Sequence, residues 1–289
     1  MPPKPKSGKP LPPGAMEQEF GVPMPGAIVP PEQWTPSSLK RWPAAGPLDW
    51  QALFGRAAPV VVDLGCGNGR SVLLSAIRRP EYDHLGVDNL PVVIRYARKR
   101  ARQRGLANVR FAVGDARQVV ARHVAPGSVT EVHVYHPQPY YDPAQIGRRL
   151  ITPSFLLHMH RILIPGGLLV LQTDNPAYWR YMQQVVPAFF DFQKWLGSWP
   201  DAPQGRTRRE IIARMKGLPV FRSIWRARTD VDPDEARRLT EALPPPFFNA
   251  DRRLLDLDEL ELGGRSGGAI YYPVQNLPDS SARLIQVSS

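Results

Sequence analysis

Short runs of apolar residues, many of them β-branched, alternate along the chain with longer stretches of mixed polarity. The apolar runs, each bounded by turn-forming residues, are 59–64, 84–88, 108–113, 130–136 and 167–173. The stretches between them are long enough for short helices, at 70–78, 91–104, 116–123 and 153–163. Because such alternation is typical of βαβ units, we predict an α/β fold with a mostly parallel sheet and right-handed crossovers.

The chain changes character after the fifth apolar run. A helix is predicted over 177–186, and two aromatic-rich runs follow at 189–195 and 219–227. We expect these two runs to pair as a terminal antiparallel hairpin whose strands are joined by a long insertion. A last helix is predicted over 233–243, where the three prolines that follow must end it.

Composition divides the chain into three regions. Residues 1–47 hold 13 prolines and few periodic apolar positions, which predicts a flexible, extended tail. The basic residues at its tip are Lys4, Lys6 and Lys9. They suit either contact with RNA or an unstructured leader. Residues 48–228 form the predicted α/β domain, and residues 229–289 are an extension to which the sequence assigns no role.

The charge of the chain narrows the range of partners. There are 37 lysines and arginines against 26 acidic residues, for a net charge of +11. This excess favours a polyanion, nucleic acid before an anionic membrane surface. A genome rich in G and C would also favour arginine and proline, so that explanation stays open.

Several classes of protein are disfavoured by what the sequence lacks. No apolar run approaches the ~18 residues of a membrane span, and no stretch of signal-peptide type opens the chain. The single cysteine, Cys66, excludes an intramolecular disulfide and a multi-cysteine metal site. We therefore expect a cytoplasmic protein with no metal and no membrane contact. The oligomeric state stays open, with a monomer expected.

A glycine-rich loop follows the first predicted strand, in Asp63-Leu64-Gly65-Cys66-Gly67-Asn68-Gly69. Glycines let the backbone turn sharply and let a ligand lie against the main chain. The spacing departs from the dinucleotide fingerprint, because Arg70 stands where the third glycine would be. A nicotinamide-dependent dehydrogenase is therefore the least favoured interpretation.

Acidic residues mark the ends of the first three predicted strands, at Asp63, Asp88 and Asp115. Open α/β sheets bind ligands at the carboxyl ends of their strands. A carboxylate at Asp88 can accept both hydroxyls of a ribose, and one at Asp115 can accept from the exocyclic amine of an adenine. Each aspartate alone would be explained as a helix N-cap or turn residue. Their occurrence in order on consecutive strands favours one shared site.

This loop and these acids together resemble the class I S-adenosylmethionine-dependent methyltransferases. The resemblance implies a Rossmann-like sheet and S-adenosylmethionine as the cofactor. It also implies that Asp63 and the glycines hold the amino-acid part, Asp88 the ribose and Asp115 the adenine. The implied cofactor-binding residues are Asp63, Gly65, Gly67, Gly69, Asp88, Asp115 and Ala116. Cys66 is interpreted as a small filler of the loop.

Residues 58–228 also resemble one narrower group, the tRNA (guanine-N7)-methyltransferase family. The segments that carry the resemblance are Arg148-Arg149-Leu150-Ile151-Thr152-Pro153-Ser154-Phe155, Thr173-Asp174, Thr207-Arg208-Arg209-Glu210 and Lys216-Gly217-Leu218-Pro219-Val220. The resemblance implies methyl transfer to N7 of a guanine in tRNA, with Gln138 and Asp174 as catalytic residues. The implied substrate-binding residues are Tyr140, Arg148, Arg149, Asp174, Thr207 and Glu210.

The segment after the fourth strand departs from this family. The family's P-D-P-W is Pro137-Gln138-Pro139-Tyr140 here, so an amide replaces a carboxylate and a tyrosine replaces a tryptophan. Guanine N7 carries a free lone pair at neutral pH, so its methylation needs no strong base, and placement near the methyl donor supplies much of the rate. The departure leaves two alternatives open: a catalytically impaired RNA-binding homologue and a methyltransferase with another acceptor.

Two basic runs suit contacts with RNA phosphates. The run 95–110 has seven basic residues and no acid, and the run 206–228 has eight basic residues and one acid, Glu210. An ordinary solvated helix face explains the first run equally well, whereas RNA binding is favoured for the second. Of the histidines near the fourth strand, we expect His133 to be structural and His136 to lie at the site.

Overall fold

The computed structural model describes residues 11–195 and 197–250. The strands in these residues are β1 (Gln18–Glu19), β2 (Val22–Pro23), β3 (Val60–Leu64), β4 (Asp83–Asp88), β5 (Val109–Val113), β6 (Val129–Tyr135), β7 (Leu163–Thr173), β8 (Phe190–Trp195) and β9 (Phe221–Ala227). The α-helices are α1 (Trp50–Phe54), α2 (Arg70–Arg78), α3 (Pro91–Gln103), α4 (Ala116–Gln118), α5 (Pro153–Ile162), α6 (Pro176–Val185), α7 (Arg208–Met215) and α8 (Pro233–Ala242), and short 3-10 helices cover Pro31–Gln33, Pro143–Arg148 and Val186–Ala188.

Seven of these strands form one sheet in the order β5-β4-β3-β6-β7-β9-β8. The first five are parallel, and β9 lies antiparallel to both β7 and β8. The predicted α/β sheet with a terminal antiparallel hairpin is therefore confirmed. The strand order reverses between β3 and β6, which is where sheets of this type bind their ligands.

Helices cover both faces of the sheet because side chains alternate along each strand. In β5, Val109 and Phe111 pack against α2 and α3, whereas Ala112 belongs to the larger cluster on the opposite face. That larger cluster takes in the buried faces of α5 and α6. Strand β3 is buried along its whole length, so its carboxyl end opens directly from the core.

Local capping chemistry sets where most of the helices begin. Side-chain oxygens accept backbone N–H groups at the starts of six described α-helices, and they belong to Asp49, Asp115, Thr152, Asn175, Thr207 and Asp232. Each satisfies an N–H donor that the first helical turn would otherwise leave without a partner. Proline at the first helical position reinforces the start of α3, α5, α6 and α8.

Some predicted elements differ in detail from the structure. Strand β7 begins at Leu163 rather than at 167, because Leu163 pairs with Val129 before a register shift in β6. A Cβ on Gly167 would lie 3.0 Å from the carbonyl oxygen of Thr130, so glycine is what lets the two strands approach here. The helix predicted over 116–123 is α-helical only to Gln118 and continues as a π-helical turn.

The proline-rich N-terminal region lies against the sheet in the part that is described. Met24 is fully buried in the α2–α3 cluster, and the amide of Leu39 donates to the carbonyl oxygen of Phe111 over 3.0 Å. Residues 1–10, with the three lysines, lie outside the described residues. A domain boundary at 47 and a flexible tail before it stay predictions.

The C-terminal region contains the helix that the sequence predicts, α8, followed by the three prolines. Residues 251–289 lie outside the described residues. Within 11–195 and 197–250, no helix has the length and apolar character needed to cross a membrane. The same residues hold no cluster of three potential metal ligands.

Candidate active site

A cavity of about 580 Å³ opens at the carboxyl ends of β3, β4, β5 and β6. Its volume falls in the range of small-molecule sites, roughly 300–1,000 Å³. The predicted site residues that line it are Gly65, Gly67, Asp88, Asp115, Ala116, Gln138, Tyr140, Arg148 and Thr207. The remaining predicted residues, Asp63, Gly69, Arg149, Asp174 and Glu210, are not among its lining residues. The first group of predicted residues therefore borders the cavity, and the second group lies behind its walls.

The glycine loop turns the chain from β3 into α2. Gly65, Gly67 and Gly69 all adopt left-handed conformations, with φ of +82°, +52° and +82°. A Cβ on Gly65 would meet no atom within 4 Å, so this part of the loop is open. A Cβ on Gly69 would lie 2.8 Å from atoms of Ala97 and of Phe111. Gly65 therefore borders the cavity, whereas Gly69 serves the close packing of α2 against the core.

Asp63 lies behind the loop and is almost completely buried. Its Oδ2 accepts a hydrogen bond from the hydroxyl of Ser71 over 2.5 Å, and its Oδ1 has no partner among the described residues. Burial raises the pKa of this carboxyl to about 7, against the hydrogen bond from Ser71. An unpartnered buried carboxyl oxygen beside a cavity suits a ligand that carries a hydrogen-bond donor.

Asp88 and Asp115 each act as a cap or turn residue and also border the cavity. Asp88 accepts the backbone N–H groups of Gly67 and Leu90, both over 2.9 Å, and so ties the glycine loop to the end of β4. Asp115 caps α4. Both also border the cavity, where a carboxylate has further lone pairs to offer. Burial raises the pKa of Asp88.

The segment after β6 forms the opposite wall of the cavity, and residues 136–150 are called the acceptor loop below. Gln138 and Arg148 are exposed to solvent, whereas Tyr140 is half-buried. His136 and Tyr140 have φ of +51° and +41°, which non-glycine residues rarely adopt. Arg149 is 1% exposed and points away from the cavity, into the protein. The loop is thus held in a strained shape that turns Gln138 and Tyr140 toward the cavity.

Behind the acceptor loop, a hydrogen-bond chain determines the tautomer of His136. The indole N–H of Trp199 donates to Oε1 of Gln172 over 2.6 Å, which identifies the other Gln172 atom as the amide nitrogen. That nitrogen lies 2.6 Å from Nε2 of His136, so Nε2 must be the acceptor. The proton of the neutral ring is therefore on Nδ1, which faces Asp174 over 3.2 Å.

Asp174 is a buried ion-pair partner rather than a wall of the cavity. Its Oδ2 accepts from Nε of Arg209 over 3.0 Å. Burial alone would raise the pKa of this carboxyl, but the charge of Arg209 and the contact with His136 outweigh it and lower the pKa well below its usual range. Since Arg209 and His136 both line the cavity, Asp174 acts on the site through them.

The Thr207–Glu210 motif is a helix start. The hydroxyl of Thr207 accepts from the amide of Glu210 over 3.0 Å, and Thr207 lines the cavity. The Glu210 side chain is completely buried, where it binds the guanidinium of Arg222 and the backbone N–H of Arg206. This arrangement resembles a capping box, in which a side chain at the third helical position satisfies an amide before the helix.

The structure shows which basic residues of the two runs face solvent, and RNA binding by the 206–228 run stays a prediction. Arg209 and Arg222 are buried against Asp174 and Glu210, so internal ion pairs use their charge. In the first run, Arg100 is buried in the same way. The basic residues of the two runs that remain exposed are Arg95, Lys99, Arg102, Arg214, Lys216 and Arg226. The sequence gives the number of basic residues in each run, but the folded structure is needed to show which of them face solvent.

Several lining residues were not foreseen. Asn68, Tyr96, Arg100, Arg117 and Arg208 also border the cavity. Asn68 and Arg100 donate to Oε1 of Glu19, over 2.7 and 3.0 Å, so the β1–β2 hairpin holds this edge. Nothing in the sequence links Glu19 to residues about 50 to 80 positions away.

Two neighbouring expectations are confirmed. His133 is buried, with its Nε2 3.0 Å from Glu131 and its Nδ1 3.2 Å from the hydroxyl of Tyr135, which makes it structural. Cys66 is buried in the α2–α3 cluster, and burial raises the pKa of its thiol well above the usual value. A thiol of this kind is a packing group rather than a nucleophile.

Comparisons with known proteins agree with this geometry. A family described as "Putative methyltransferase" matches residues 57–222. The chain is 34% identical to the tRNA (guanine-N(7)-)-methyltransferase of Alkalilimnicola ehrlichii over 198 residues, which cover 68% of this chain and 84% of that protein. It is 35% identical to the enzyme of the same name from Halorhodospira halophila over 192 residues, which cover 65% and 83%.

A solved structure supports the fold. The crystal structure of the 16S rRNA methyltransferase KamB matches with a TM-score of 0.51 at 16% identity, over 67% of this chain and 99% of that one. At this identity the likeness concerns the arrangement of the sheet and helices. From the matched residues and the relatives, the chain belongs to the tRNA (guanine-N7)-methyltransferase family.

Proposed function

We propose that this protein transfers a methyl group from S-adenosylmethionine to N7 of a guanine in tRNA. The observation that carries the proposal is that one cavity is bordered on one side by the glycine loop and the strand-end acids, and on the other by the acceptor loop. A donor and an acceptor held at these two walls would meet inside it. A tRNA substrate also fits the cytoplasmic location expected from the sequence.

The side of the cavity formed by the glycine loop and the strand-end acids is called the cofactor wall below. It suits S-adenosylmethionine, which supplies an electrophilic methyl group when bound. The open side of Gly65 leaves room for a ligand against the main chain. Asp63 lies behind this wall, with its Oδ1 unpartnered among the described residues, and the carboxylate of Asp88 borders the cavity and suits a ribose diol. Asp115 and Ala116 border the space where an adenine would lie. Gly67 shapes the loop, and Gly69 supports it from behind.

The side of the cavity formed by the acceptor loop is called the acceptor wall below. Guanine N7 carries no proton that must be removed, so the main task of this wall is to position that atom. Gln138 would hydrogen-bond an edge of the base, and Tyr140 would stack on its face. Arg148 and Thr207 lie at the same wall, where a guanidinium and a hydroxyl suit a phosphate. Positioning of the lone pair in line with the methyl group supplies the rate, and no general base is needed.

The buried members of the predicted site act through these lining residues. Asp174 orients His136 and Arg209, Glu210 fixes the start of α7, and Arg149 holds the backbone of the acceptor loop. We assign them to positioning rather than to contact with substrate.

Calorimetry with S-adenosylhomocysteine tests the cofactor wall. We expect binding to the wild-type protein and a loss of at least about tenfold in affinity on Asp88→Ala, since charged hydrogen bonds are the stronger ones. Asp232→Ala is the matched control, because Asp232 also accepts two backbone N–H groups but caps the distant α8. Absence of heat with the wild-type protein would end the cofactor assignment.

Methyl incorporation into tRNA tests the acceptor. A transcript containing 7-deazaguanosine has a carbon in place of N7 and is otherwise matched to the normal transcript. We expect methyl transfer to the normal transcript and none to the 7-deaza transcript. Equal transfer to both would point to another acceptor, and cofactor binding without any transfer would point to an impaired RNA-binding homologue.

A further inference from the structure

Arg149 is a buried cation that the described residues surround with carbonyl groups instead of a carboxylate. On one side its Nε donates to the carbonyl oxygen of Pro139 over 2.5 Å and its Nη2 to that of Tyr140 over 3.2 Å. On the other side Nη1 donates to Pro246 over 2.5 Å and Nη2 to Phe248 over 3.1 Å. A buried charge is costly unless its donors are satisfied, so both sides are required.

The second side belongs to the C-terminal region, beyond the residues that match the family. The ring of Phe248 lies over the Arg149 guanidinium, 3.7 Å from its carbon atom. The same ring packs on Tyr178 and Tyr181 of α6, with centroids 4.9 and 5.7 Å apart. The hydroxyl of Tyr181 donates to the carbonyl oxygen of Pro244 over 2.9 Å. Residues 244–248, which include three prolines, are called the C-terminal brace below.

The first set of carbonyl groups around Arg149 belongs to the acceptor loop, next to its strained residue Tyr140. Tyr140 has φ of +41° and lines the cavity. A strained conformation persists only where the surroundings hold it from several directions. The carbonyls of Pro139 and Tyr140 are anchored by Arg149, and Arg117 of α4 donates to the carbonyl oxygens of Gly147 and Arg149. Without the brace, the guanidinium of Arg149 would lose two acceptors and its aromatic cover.

We propose that the C-terminal brace positions the acceptor loop for the tRNA guanine through Arg149, and that Phe248 is its key positioning residue. The proposal rests on the proposed function for the identity of the acceptor. It gives a role to residues that neither the family match nor the sequence pattern explains. It also separates the two walls of the cavity, because the contacts of the brace reach the acceptor loop through Arg149.

Two adjacent phenylalanines provide a matched pair for the test. Phe248 contacts Arg149 and α6, whereas Phe247 is 70% exposed. We expect Phe248→Ala to increase hydrogen exchange of the backbone amides in 137–150, with Phe247→Ala unchanged. We expect kcat/KM for tRNA to fall at least about tenfold in Phe248→Ala only. The affinity for S-adenosylhomocysteine should stay within about twofold in both variants, because the glycine loop is not disturbed.

A conservative series keeps the test decisive. Phe248→Tyr keeps the aromatic face and should restore exchange protection and activity, whereas Phe248→Leu keeps apolar volume without that face and should be intermediate. Equal exchange and kinetics in Phe248→Ala and Phe247→Ala would overturn the proposal. If the wild-type protein binds the cofactor product but methylates no tRNA, the proposed function fails, and hydrogen exchange still decides whether the brace holds the loop.

Discussion

The Nδ1 of His136 lies 3.2 Å from Oδ1 of Asp174, and the hydrogen bonds around the ring place its proton on that nitrogen. The same carboxylate pairs with Arg209, so one buried acid orients two residues that border the cavity. His136 begins the acceptor loop, and Arg209 belongs to α7. Asp174 thereby joins two elements that are far apart in the sequence.

Asp174→Asn should destabilise the fold strongly. The amide nitrogen would face a donor, and the buried Arg209 guanidinium would lose the charge of Asp174, a change that typically costs about 3–5 kcal/mol. The free energy of unfolding in urea measures this. Asp201→Asn is the control, because the pair of Asp201 with Arg206 is partly exposed, at 29% and 17%, and should cost under about 1 kcal/mol. Equal losses in the two variants would contradict the buried-pair interpretation.

Asp63 should make the fold less stable as the pH rises toward 7. Its pKa is raised from 3.8 to about 7 in the folded protein, so between these values the folded state holds a proton that the unfolded state has released. Stability then falls with rising pH, by up to about 1.4 kcal/mol for each pH unit. Unfolding in urea between about pH 5 and 8 measures the slope. A slope unchanged in Asp63→Asn would contradict the assignment.

Gly65→Ala and Gly69→Ala should separate ligand binding from packing. Both positions have positive φ, so each alanine costs about 1–2 kcal/mol of strain. At Gly69 the methyl group would also collide with Ala97 and Phe111, which adds about 1–3 kcal/mol of destabilisation. At Gly65 it would project into open space and weaken S-adenosylhomocysteine binding instead. Thermal melting and calorimetry measure the two effects, and the reverse pattern would refute the division.

Gln138→Asp should increase methyl transfer to tRNA. The Watson–Crick edge of guanine presents two neighbouring donors, which a carboxylate can accept together and an amide cannot. A charged hydrogen bond is about twice as strong as a neutral one, so we expect kcat/KM to rise about tenfold. Gln145→Asp is the control, because Gln145 lies in the same loop but does not line the cavity. A decrease in Gln138→Asp would show that the amide itself is selected for the acceptor.

Glu19→Gln should weaken cofactor binding more than Glu17→Gln does. Glu19 is buried and accepts from Asn68 of the glycine loop and from Arg100, whereas Glu17 is partly exposed and binds Arg100 and Arg104. Loss of the Glu19 charge would leave buried guanidinium groups facing one another beside the loop. Calorimetry with S-adenosylhomocysteine in both variants measures the difference, and equal affinities would contradict a link between this hairpin and the loop.

Local patterns predicted the elements of this protein well. Apolar runs bounded by turn residues form strands in the structure, because a parallel strand is covered by helices on both faces of the sheet and so needs apolar side chains on both. The strand-end acids and the glycine loop arrived at one edge, because parallel strands place their carboxyl ends together. Helix α7 was not predicted, because its residues fall in the stretch expected to be a long insertion, although the Thr207–Glu210 spacing forms its cap.

Tertiary packing decided what those patterns left open. Gly69 became a packing residue because Ala97 and Phe111 lie against it. Arg149 became an anchor because a proline segment 97 positions later reached it. Periodicity along a chain reports which face of an element is buried, but it does not report which distant side chain meets that face. The sequence alone thus determined the sheet and the cavity edge, and the folded chain decided which charges stay paired inside and which residues face the ligand.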